Sequence, residues 1–586
     1  MNSALANNQP KKIVIFCGGT GASSLTRGLS SALPESELIS WINLCDAGKS
    51  TGVVAETMET LGVSDARKNL SLHYDIVHGD HRSRDLVEFL EGRFDLGATT
   101  AEAKDFVIQK LNLWQLQHFI PQAELFFSKV SDYANFCDFN IANIIMGALF
   151  YEIGIEATIE KIKNLLSIPT CNIIVPWHNY NRLQAVTQSG LLLEDEGKIV
   201  DWNNPRDRIQ EVFFVNPENN SRYFEYELYS KEYLSILDDA DLIILSSGTQ
   251  WSSLIPSYMN RHVKACLERN AHKVILCINN IQDKDMQGMT ANEVLAVLRN
   301  YLDISNFKIL YNLDAAPGMK VNSDYGFSMG NDSKGRSDPD KFAYAILRTH
   351  STDTTKKFDV IILASGKQTR YKSSTPKALA AYAGTTVLEH NIKQLTSISR
   401  IRNINLVVRP EKAEWFYGIS GINLYTTDRS NGTGDSLLAS LEAIPDLLPD
   451  VILIWSDIIL DKENIVTALI DYDPNYLNIP AVEEDSPYTG FVESNGVVTE
   501  VLFSSKGDDT SKAKWHDLSF FFWNTSVITP ICYQMQANLV DAEFDFLDIP
   551  NKYESIARII PVNGAVPLGY NTVEKHKKII DMLGVP

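Results

Sequence analysis

The chain has no C-x-x-C pair: its seven cysteines, at positions 17, 45, 137, 171, 266, 277 and 532, are scattered singly through 586 residues. That spacing excludes a zinc knuckle and a disulfide framework, and apolar flanks such as "VIFCGG" and "VILCINN" predict buried free thiols in a reducing compartment. There is no run of 18 uncharged apolar residues, and the opening "MNSALANNQPKK" lacks the apolar core of a signal peptide. A cytoplasmic protein without a membrane span is therefore expected. The most apolar helical stretch, "IANIIMGALFYEIGI", contains Asn143 and Glu152 and predicts a buried helix. Basic charge is scarce too: 53 Lys plus Arg stand against 73 Asp plus Glu, a net charge of −20. This balance opposes nucleic acid and anionic membranes as partners. An anionic substrate must then be met by local Lys or Arg, by helix N-termini or by bound metal. Internal repeats and hexapeptide β-helix spacing are absent.

A hydrophobic content of 44% with 22% charged residues is that of a soluble globular protein, and the length calls for two or more domains. The runs "KIVIF", "ELISWINL", "CNIIV", "ADLIILSSG", "KVILCINN" and "FKILYNL" alternate with helical patterns through residues 11–315, which predicts a mainly parallel sheet covered by helices on both faces. The stretch 327–357 opens polar and Gly-rich, carries a short helix candidate and closes on a Ser/Thr/Lys run, so a boundary is expected near 352–356. Fresh strands follow in "KFDVIILASG", "NINLVV", "DVILIWSD" and "YLNIPAV", and "TGFVESNGVVTEVLFSS" predicts a hairpin turning at "SNG". The expected fold class is α/β with two doubly wound domains, 1–352 and 357–586.

Each predicted domain starts with a strand that runs into a turn of small residues, "IVIFCGGTGASSLTRGL" and "ILASGKQTRYKSSTPKAL". Small residues let backbone N–H groups approach an anion closely, which is the chemistry of a phosphate cradle. In the second turn Gly366 permits tight turning against a triphosphate, Arg370 can neutralise β- and γ-phosphate charge, and Lys377 can stabilise an attacked α-phosphoryl group. The competing reading is a surface turn with incidental basic residues. Asp457, just past the strand "ILIW", is placed either to bind Mg²⁺ or to cap a helix.

The pattern L-A-x-G-x-x-T-R-x-x-x-x-T-P-K resembles the signature of sugar-phosphate nucleotidyltransferases, the family of the N-acetylglucosamine-1-phosphate uridylyltransferases and phosphocholine cytidylyltransferases. The resemblance runs to the end of the chain and implies a Rossmann-like, glycosyltransferase-A-like fold. It implies nucleotide contacts at Leu363, Ala364 and Gly366, and at Gly432, Thr433 and Gly434 of "NGTGDSLLASL". Ser430 stands where that family reads uracil with Gln, and Ser456 replaces the Gly before Asp457. The family's Gly-x-Asn-Thr segment is matched by "LGYNTVEKHKKI", which implies Asn571 as a second metal ligand beside Asp457; an Asn-Thr helix cap is the alternative. Gly490 and Asp517 fall near the family's sugar-contacting positions.

"CGGTGASSLTRGL", "NLCDAGKSTG", "GVSDARKNL", "FNIANIIMGAL" and "ADLIILSSGTQWSSLIPS", spread over residues 11–320, resemble the family of 2-phospho-L-lactate transferase and the UDP-sugar-binding gluconeogenesis and cell-shape factors. That resemblance implies a nucleoside diphosphate held by Gly18, Gly19, Thr20 and Gly21 and by Ser247, Gly248 and Thr249. The physical logic agrees, because open α/β sheets bind ligands at strand C-terminal edges; a plain strand-to-helix cap is the rival for "SSGTQ". Asp46 and Asp65 are the carboxylates implied for metal or acceptor binding. Ala47 replaces a second adjacent Asp of the family, and Lys49 replaces a Gly and can supply positive charge directly. Asn69 and Asn143 match Asn positions of the family or are buried polar helix residues. His78, Asp80 and His81 of "IVHGDHRSRD" suggest metal, but no further ligand type nearby completes a tetrahedral set, and a solvated loop is the better reading.

Together the two resemblances imply a bifunctional, Mg²⁺-dependent transferase. The C-terminal domain would join an NTP to a phosphomonoester, giving NDP-X and pyrophosphate. The N-terminal domain would move phospho-X to the hydroxyl of a small-molecule or glycan acceptor, releasing NMP. The alternative is a nucleotide-sugar synthetase whose N-terminal domain only senses nucleotide sugar. A homo-oligomer is compatible with either.

Overall fold

The computed structural model describes residues 9–584 apart from 20, 97–98, 133, 353–355, 367–370, 372, 374, 430 and 539–542, and apart from the Lys49 side chain. Thr20, Arg370 and Ser430 thus lie outside the described residues. The chain divides into two compact units, the first comprising Met1–Ser323 with Phe327–Ser351 and the second Asp324–Gly326 with Thr352–Pro586.

In the first unit six mutually parallel strands belong to the seven-stranded central sheet: β1 (Lys12–Cys17), β2 (Glu37–Ile42), β3 (Asn172–Ile174), β4 (Leu242–Leu245), β5 (Val274–Cys277) and β6 (Lys308–Asn312). Their order across the sheet is β6-β5-β4-β1-β2-β3. β1 and β4 are buried almost throughout, as expected of runs rich in Val, Ile and Leu that are covered by helices on both faces. The order reverses at β1, whose neighbours are β2 on one side and β4 on the other, so the carboxyl ends of β1 and β4 form the switch point of the sheet. Helix α1 (Ser23–Ala32) follows β1 and packs closely against helix Pro339–Ser351: a Cβ on Gly28 would lie 1.9 Å from Pro339 O.

Between β2 and β3 the chain is helical rather than alternating. Helices α2 (Lys49–Met58), α3 (Ser64–His78) and α4 (Ile141–Ile153) belong to this insertion, and α4 is the buried helix expected from its apolar run. A small antiparallel sheet of Leu192–Leu193, Arg182–Thr187, Ile209–Val215 and Arg222–Tyr223 precedes β4, with the short helix α5 (Glu196–Val200) in its connection. Six of the seven cysteines are buried and Cys137 is exposed.

The second unit holds a mixed sheet that begins β9-β8-β7-β10-β12-β11, from β7 (Phe358–Ala364), β8 (Ile401–Val408), β9 (Asn423–Thr426), β10 (Asp450–Trp455), β11 (Leu477–Glu483) and β12 (Phe520–Asn524). β7 to β10 are mutually parallel and β12 turns antiparallel to β10. Strand alternation splits β7 between two cores: Phe358, Val360, Ile362 and Ala364 enter one, Ile361 and Leu363 the other. The expected hairpin forms from Thr489–Ser494 and Val497–Phe503, and Asn495 and Gly496 both take positive φ at its turn. Here too the order reverses at the first strand of the unit, between β7 and β10.

Candidate active sites

In the second unit β7 and β10 end side by side, and Ser456 N–H donates to Leu363 O at 3.2 Å. A cavity of about 780 Å³ opens at this edge, with Leu363, Gly366, Lys377, Gly432, Asp457 and Asn571 on its wall. That volume accommodates a nucleotide together with a second small substrate. Lys377 Nζ lies 2.6 Å from Asp457 Oδ2, and both side chains are largely buried. Tyr570 secures the pair from one side: its hydroxyl donates to Lys377 O at 2.8 Å and its N–H donates to Asp457 O at 2.8 Å. An antiparallel bridge between Ile458 and Gly569 adds to this, so the segment carrying Asn571 runs alongside Asp457. Ala364 turns into the apolar core. Next to it the Ser365 hydroxyl is buried on the cavity side with no hydrogen-bond partner among the described residues, a position that costs about 1–3 kcal/mol.

The Gly-Thr-Gly motif at the start of helix α6 (Thr433–Ala443) has a packing task besides facing the cavity. Gly432 has φ +98°, and a Cβ there would lie 2.1 Å from Phe544 O; on Gly434 it would lie 2.5 Å from the Phe544 ring. Thr433 Oγ1 donates to Asp545 Oδ1 at 2.9 Å and accepts Phe546 N–H at 2.8 Å. The motif therefore seats residues 543–546, whose Glu543 and Asp545 reach the cavity wall. Asp517 lies on the same wall, accepts Ser519 N–H at 2.8 Å, and has its pKa raised by burial. Gly490 makes room for Ala513, whose Cβ would be 2.5 Å from an added one, while its neighbours Tyr488 and Thr489 line the cavity.

In the first unit the turns after β1 and β4 touch: a Cβ on Gly21 would lie 2.6 Å from Ser247 O and 3.1 Å from Gly248 Cα. Helix α3 supports the first turn from below. Asn69 Nδ2 donates to Gly18 O at 3.2 Å, and a Cβ on Gly19 would fall 2.2 Å from Lys68 Cδ and 2.5 Å from Asp65 Oδ1. Asp65 is buried and pairs with Lys68 at 3.3 Å. Burial raises its pKa against the pull of Lys68, and Asp46 pushes the same way. Asp46 Oδ1 accepts Gly48 N–H at 2.9 Å.

Sequence reasoning did not find Glu196. It arrives from α5, beyond the small antiparallel sheet, and accepts Ala47 N–H at 3.1 Å, next to Asp46. Burial, then the charges of Asp46 and Asp65, push its carboxyl up to about 8. Asn143 is buried and fully engaged: it accepts from Arg67 Nε at 2.8 Å and donates to Ser50 and Thr51 hydroxyls at 3.1 and 3.3 Å. It thereby ties α4 to α3 and to the start of α2.

The second turn is partly committed to the protein. Gly248 N–H donates to Asn279 Oδ1 at 3.0 Å and Gly248 O accepts Asn279 Nδ2 at 2.9 Å, while Trp251 N–H donates to the buried Asp285 carboxylate at 3.1 Å. Its offer to a ligand is therefore the hydroxyls of Ser247 and Thr249 rather than the Gly248 N–H. His78 Nε2 donates to Leu166 O at 2.9 Å, and among the described residues no group of three or more His, Cys, Asp or Glu is placed to hold a metal ion.

Two α/β units of transferase type, each with a Gly-rich turn at the point where its strand order reverses, make up this protein. Residues 13–322 match the family described as 2-phospho-L-lactate transferase CofD, more than half of the chain, and the protein belongs to that family. Residues 360–491 match the MobA-like NTP transferase domain, so the chain is a fusion of the two. Among curated proteins it is similar to "Bifunctional protein GlmU" of Streptococcus thermophilus, 30% identical over 150 residues, which cover 24% of this chain and 32% of that protein. The protein of the same name from Corynebacterium jeikeium is 27% identical over 166 residues, 26% of this chain and 34% of that one. The chain thus spans about a third of the length of these relatives. Among solved structures, a Bacillus halodurans protein of the upf0052 family aligns with a TM-score of 0.38 at 17% identity, covering 52% of this chain and 80% of that one. No helix among the described residues is long and apolar enough to cross a membrane.

Proposed function

We propose that the C-terminal unit couples an NTP to a phosphomonoester, forming NDP-X and pyrophosphate, and that the N-terminal unit transfers phospho-X from NDP-X to an acceptor hydroxyl with release of NMP. The observation that carries the reading is the Lys377–Asp457 pair on the wall of a cavity large enough for both substrates of the first reaction.

In the C-terminal unit the turn at Gly366 holds the triphosphate, and the buried Ser365 hydroxyl gains a partner when the nucleotide enters. Lys377 places its charge at the α-phosphoryl group and stabilises the five-coordinate phosphorus as the phosphomonoester oxygen attacks and pyrophosphate leaves. The Asp457 carboxylate and Asn571 amide are hard oxygen donors of the kind that would hold Mg²⁺. Bound there, Mg²⁺ would offset the repulsion between two polyanionic reactants. Asp517 and Thr489, across the cavity, are the groups proposed to contact X.

In the N-terminal unit Gly18, Gly19 and Gly21 with Ser247 and Thr249 hold the diphosphate of NDP-X. Asp46 and Asp65 stand beside it to hold a divalent ion or orient the acceptor hydroxyl, and Asn69 fixes the turn through Gly18 O.

The test is mass spectrometry of the full chain incubated with Mg²⁺, four NTPs and a panel of phosphomonoesters. A nucleotide conjugate with release of pyrophosphate is expected, and its mass reports base and X together. Hydrolysis without a conjugate, or no turnover of any NTP, would refute the C-terminal assignment.

A further inference from the structure

Lys68 lies in the "GVSDARKNL" motif, where only Asp65 and Asn69 drew a role from the sequence, and its side chain occupies the space beneath Gly19: a Cβ there would lie 2.2 Å from Lys68 Cδ and 3.0 Å from Lys68 Nζ. Its ammonium is held 3.3 Å from Asp65 Oδ1 and its side chain is about a third exposed, whereas the Asp65 side chain is 8% exposed. Adjacent Arg67 is turned away, bound to Asn143 and Leu90 O. The other charged groups that bear on Asp65 from the neighbouring elements are carboxylates, Asp46 on the β2–α2 loop and Glu196 on α5. A dianionic diphosphate arriving at this turn therefore meets the carboxylates of Asp46 and Asp65, a Glu196 carboxyl whose pKa is raised to about 8, and, among the described side chains at the turn, one ammonium.

We propose that Lys68 is a diphosphate-binding residue of the N-terminal site, and that binding exchanges its partner: the ammonium leaves Asp65 for a phosphoryl oxygen and so frees the Asp65 carboxylate for its own role. This rests on the reading of that site as a nucleoside diphosphate site. The move is small, because the stem of Lys68 already lies against Gly19, and a Gly at 19 is what leaves it room. The exchange makes binding ordered. Until the nucleotide arrives Asp65 is neutralised by Lys68, and afterwards it is available to a divalent ion or an acceptor hydroxyl.

The test is hydrogen–deuterium exchange of the peptide covering residues 13–25 in the full chain, with EDTA present and GDP, UDP, CDP and ADP added in turn. This readout is local to the first turn and insensitive to nucleotide bound in the C-terminal cavity. At least one NDP should slow exchange in the wild-type chain, and Lys68→Met and Lys68→Gln should both need at least about 10-fold more of it, the scale of one charge-assisted hydrogen bond. Asp65→Asn, which releases the ammonium without removing it, should need no more NDP than wild type. Protection of both Lys68 variants at wild-type NDP concentration would overturn the role of Lys68, and a weaker Asp65→Asn would overturn the exchange. Absence of protection in wild type with every NDP would overturn the diphosphate reading itself, and this inference with it.

Discussion

Lys377 Nζ and Asp457 Oδ2 are 2.6 Å apart although 80 residues separate them in the chain. Each holds the other on the cavity wall. Replacing Lys377 by Ala is expected to slow nucleotidyl transfer about 10²-fold or more, since the charge aimed at the reacting phosphorus is lost, with a smaller loss of NTP affinity. Steady-state rates and NTP titration of the same variant separate the two effects, and unchanged turnover would remove Lys377 from the mechanism.

Asp457→Asn should abolish formation of NDP-X yet leave the chain able to consume NDP-X supplied from outside, releasing NMP with the correct acceptor. Asp46→Asn should do the reverse and accumulate NDP-X. Chromatography of the nucleotides distinguishes the two, and mixing the variants should restore the full sequence unless the intermediate stays within one chain. An Asp46→Asn chain that forms final product normally, but responds differently to added nucleotide sugar, would replace transfer by sensing in the N-terminal unit.

Glu196 gives a pH signature. Its carboxyl titrates near 8 in the folded chain, above its ordinary 4.5, so the folded state favours the protonated form. That contribution to stability is fully present below about pH 4.5 and is lost as pH rises through about 8. Glu196→Gln removes the titration while keeping an acceptor for Ala47 N–H. Its unfolding midpoint should therefore fall less than that of wild type between pH 5 and about 9, as read by chemical denaturation. Parallel pH profiles of the two chains would contradict the assignment.

Gly432→Ala should destabilise the C-terminal unit by about 2–4 kcal/mol, because φ +98° disfavours any Cβ and this one would press on Phe544 O at 2.1 Å. Calorimetry should show a lower transition for that unit, and NTP binding should weaken because Glu543 and Asp545 lose their seat. A transition unmoved by the substitution would show that residues 543–546 shift without cost.

Fragments 1–352 and 357–586 are each expected to unfold cooperatively, since each contains its own sheet and core. Circular dichroism during denaturation checks this, and two molten fragments would show that neither half is autonomous.

The strands were legible in the sequence because each central one is an unbroken apolar run, and the hairpin because Asn495-Gly496 is a turn with its own chemistry. Lys377, Asp457 and the two Gly-rich turns were legible because local spacing carries them. Apart from α4, the helical stretch between β2 and β3 and the small sheet at 182–223 were not read, since their apolar residues are interleaved with polar ones and two of that sheet's strands have two residues each. Glu196, Tyr570 and Lys68 escaped for a different reason. Tyr570 and Lys68 lie inside the motifs "LGYNTVEKHKKI" and "GVSDARKNL", but each of the three acts through a partner far along the chain or across a helix turn that the motif does not name. Gly434 shows the converse: a motif glycine read as a nucleotide contact also yields to a phenylalanine ring 110 positions later.

The bonds from Tyr570 to Lys377 and Asp457 set the order in which the enzyme can become competent during its own synthesis. The turn at Gly366, Lys377 and Asp457 all emerge from the ribosome more than a hundred residues before Tyr570 does. A nascent chain therefore presents β7 to β10 while one wall of the pocket, together with the core residues from Leu518 to Val562, is still untranslated. A chain cut short anywhere between Asp457 and Tyr570 carries the lysine and the aspartate but has nothing to brace them.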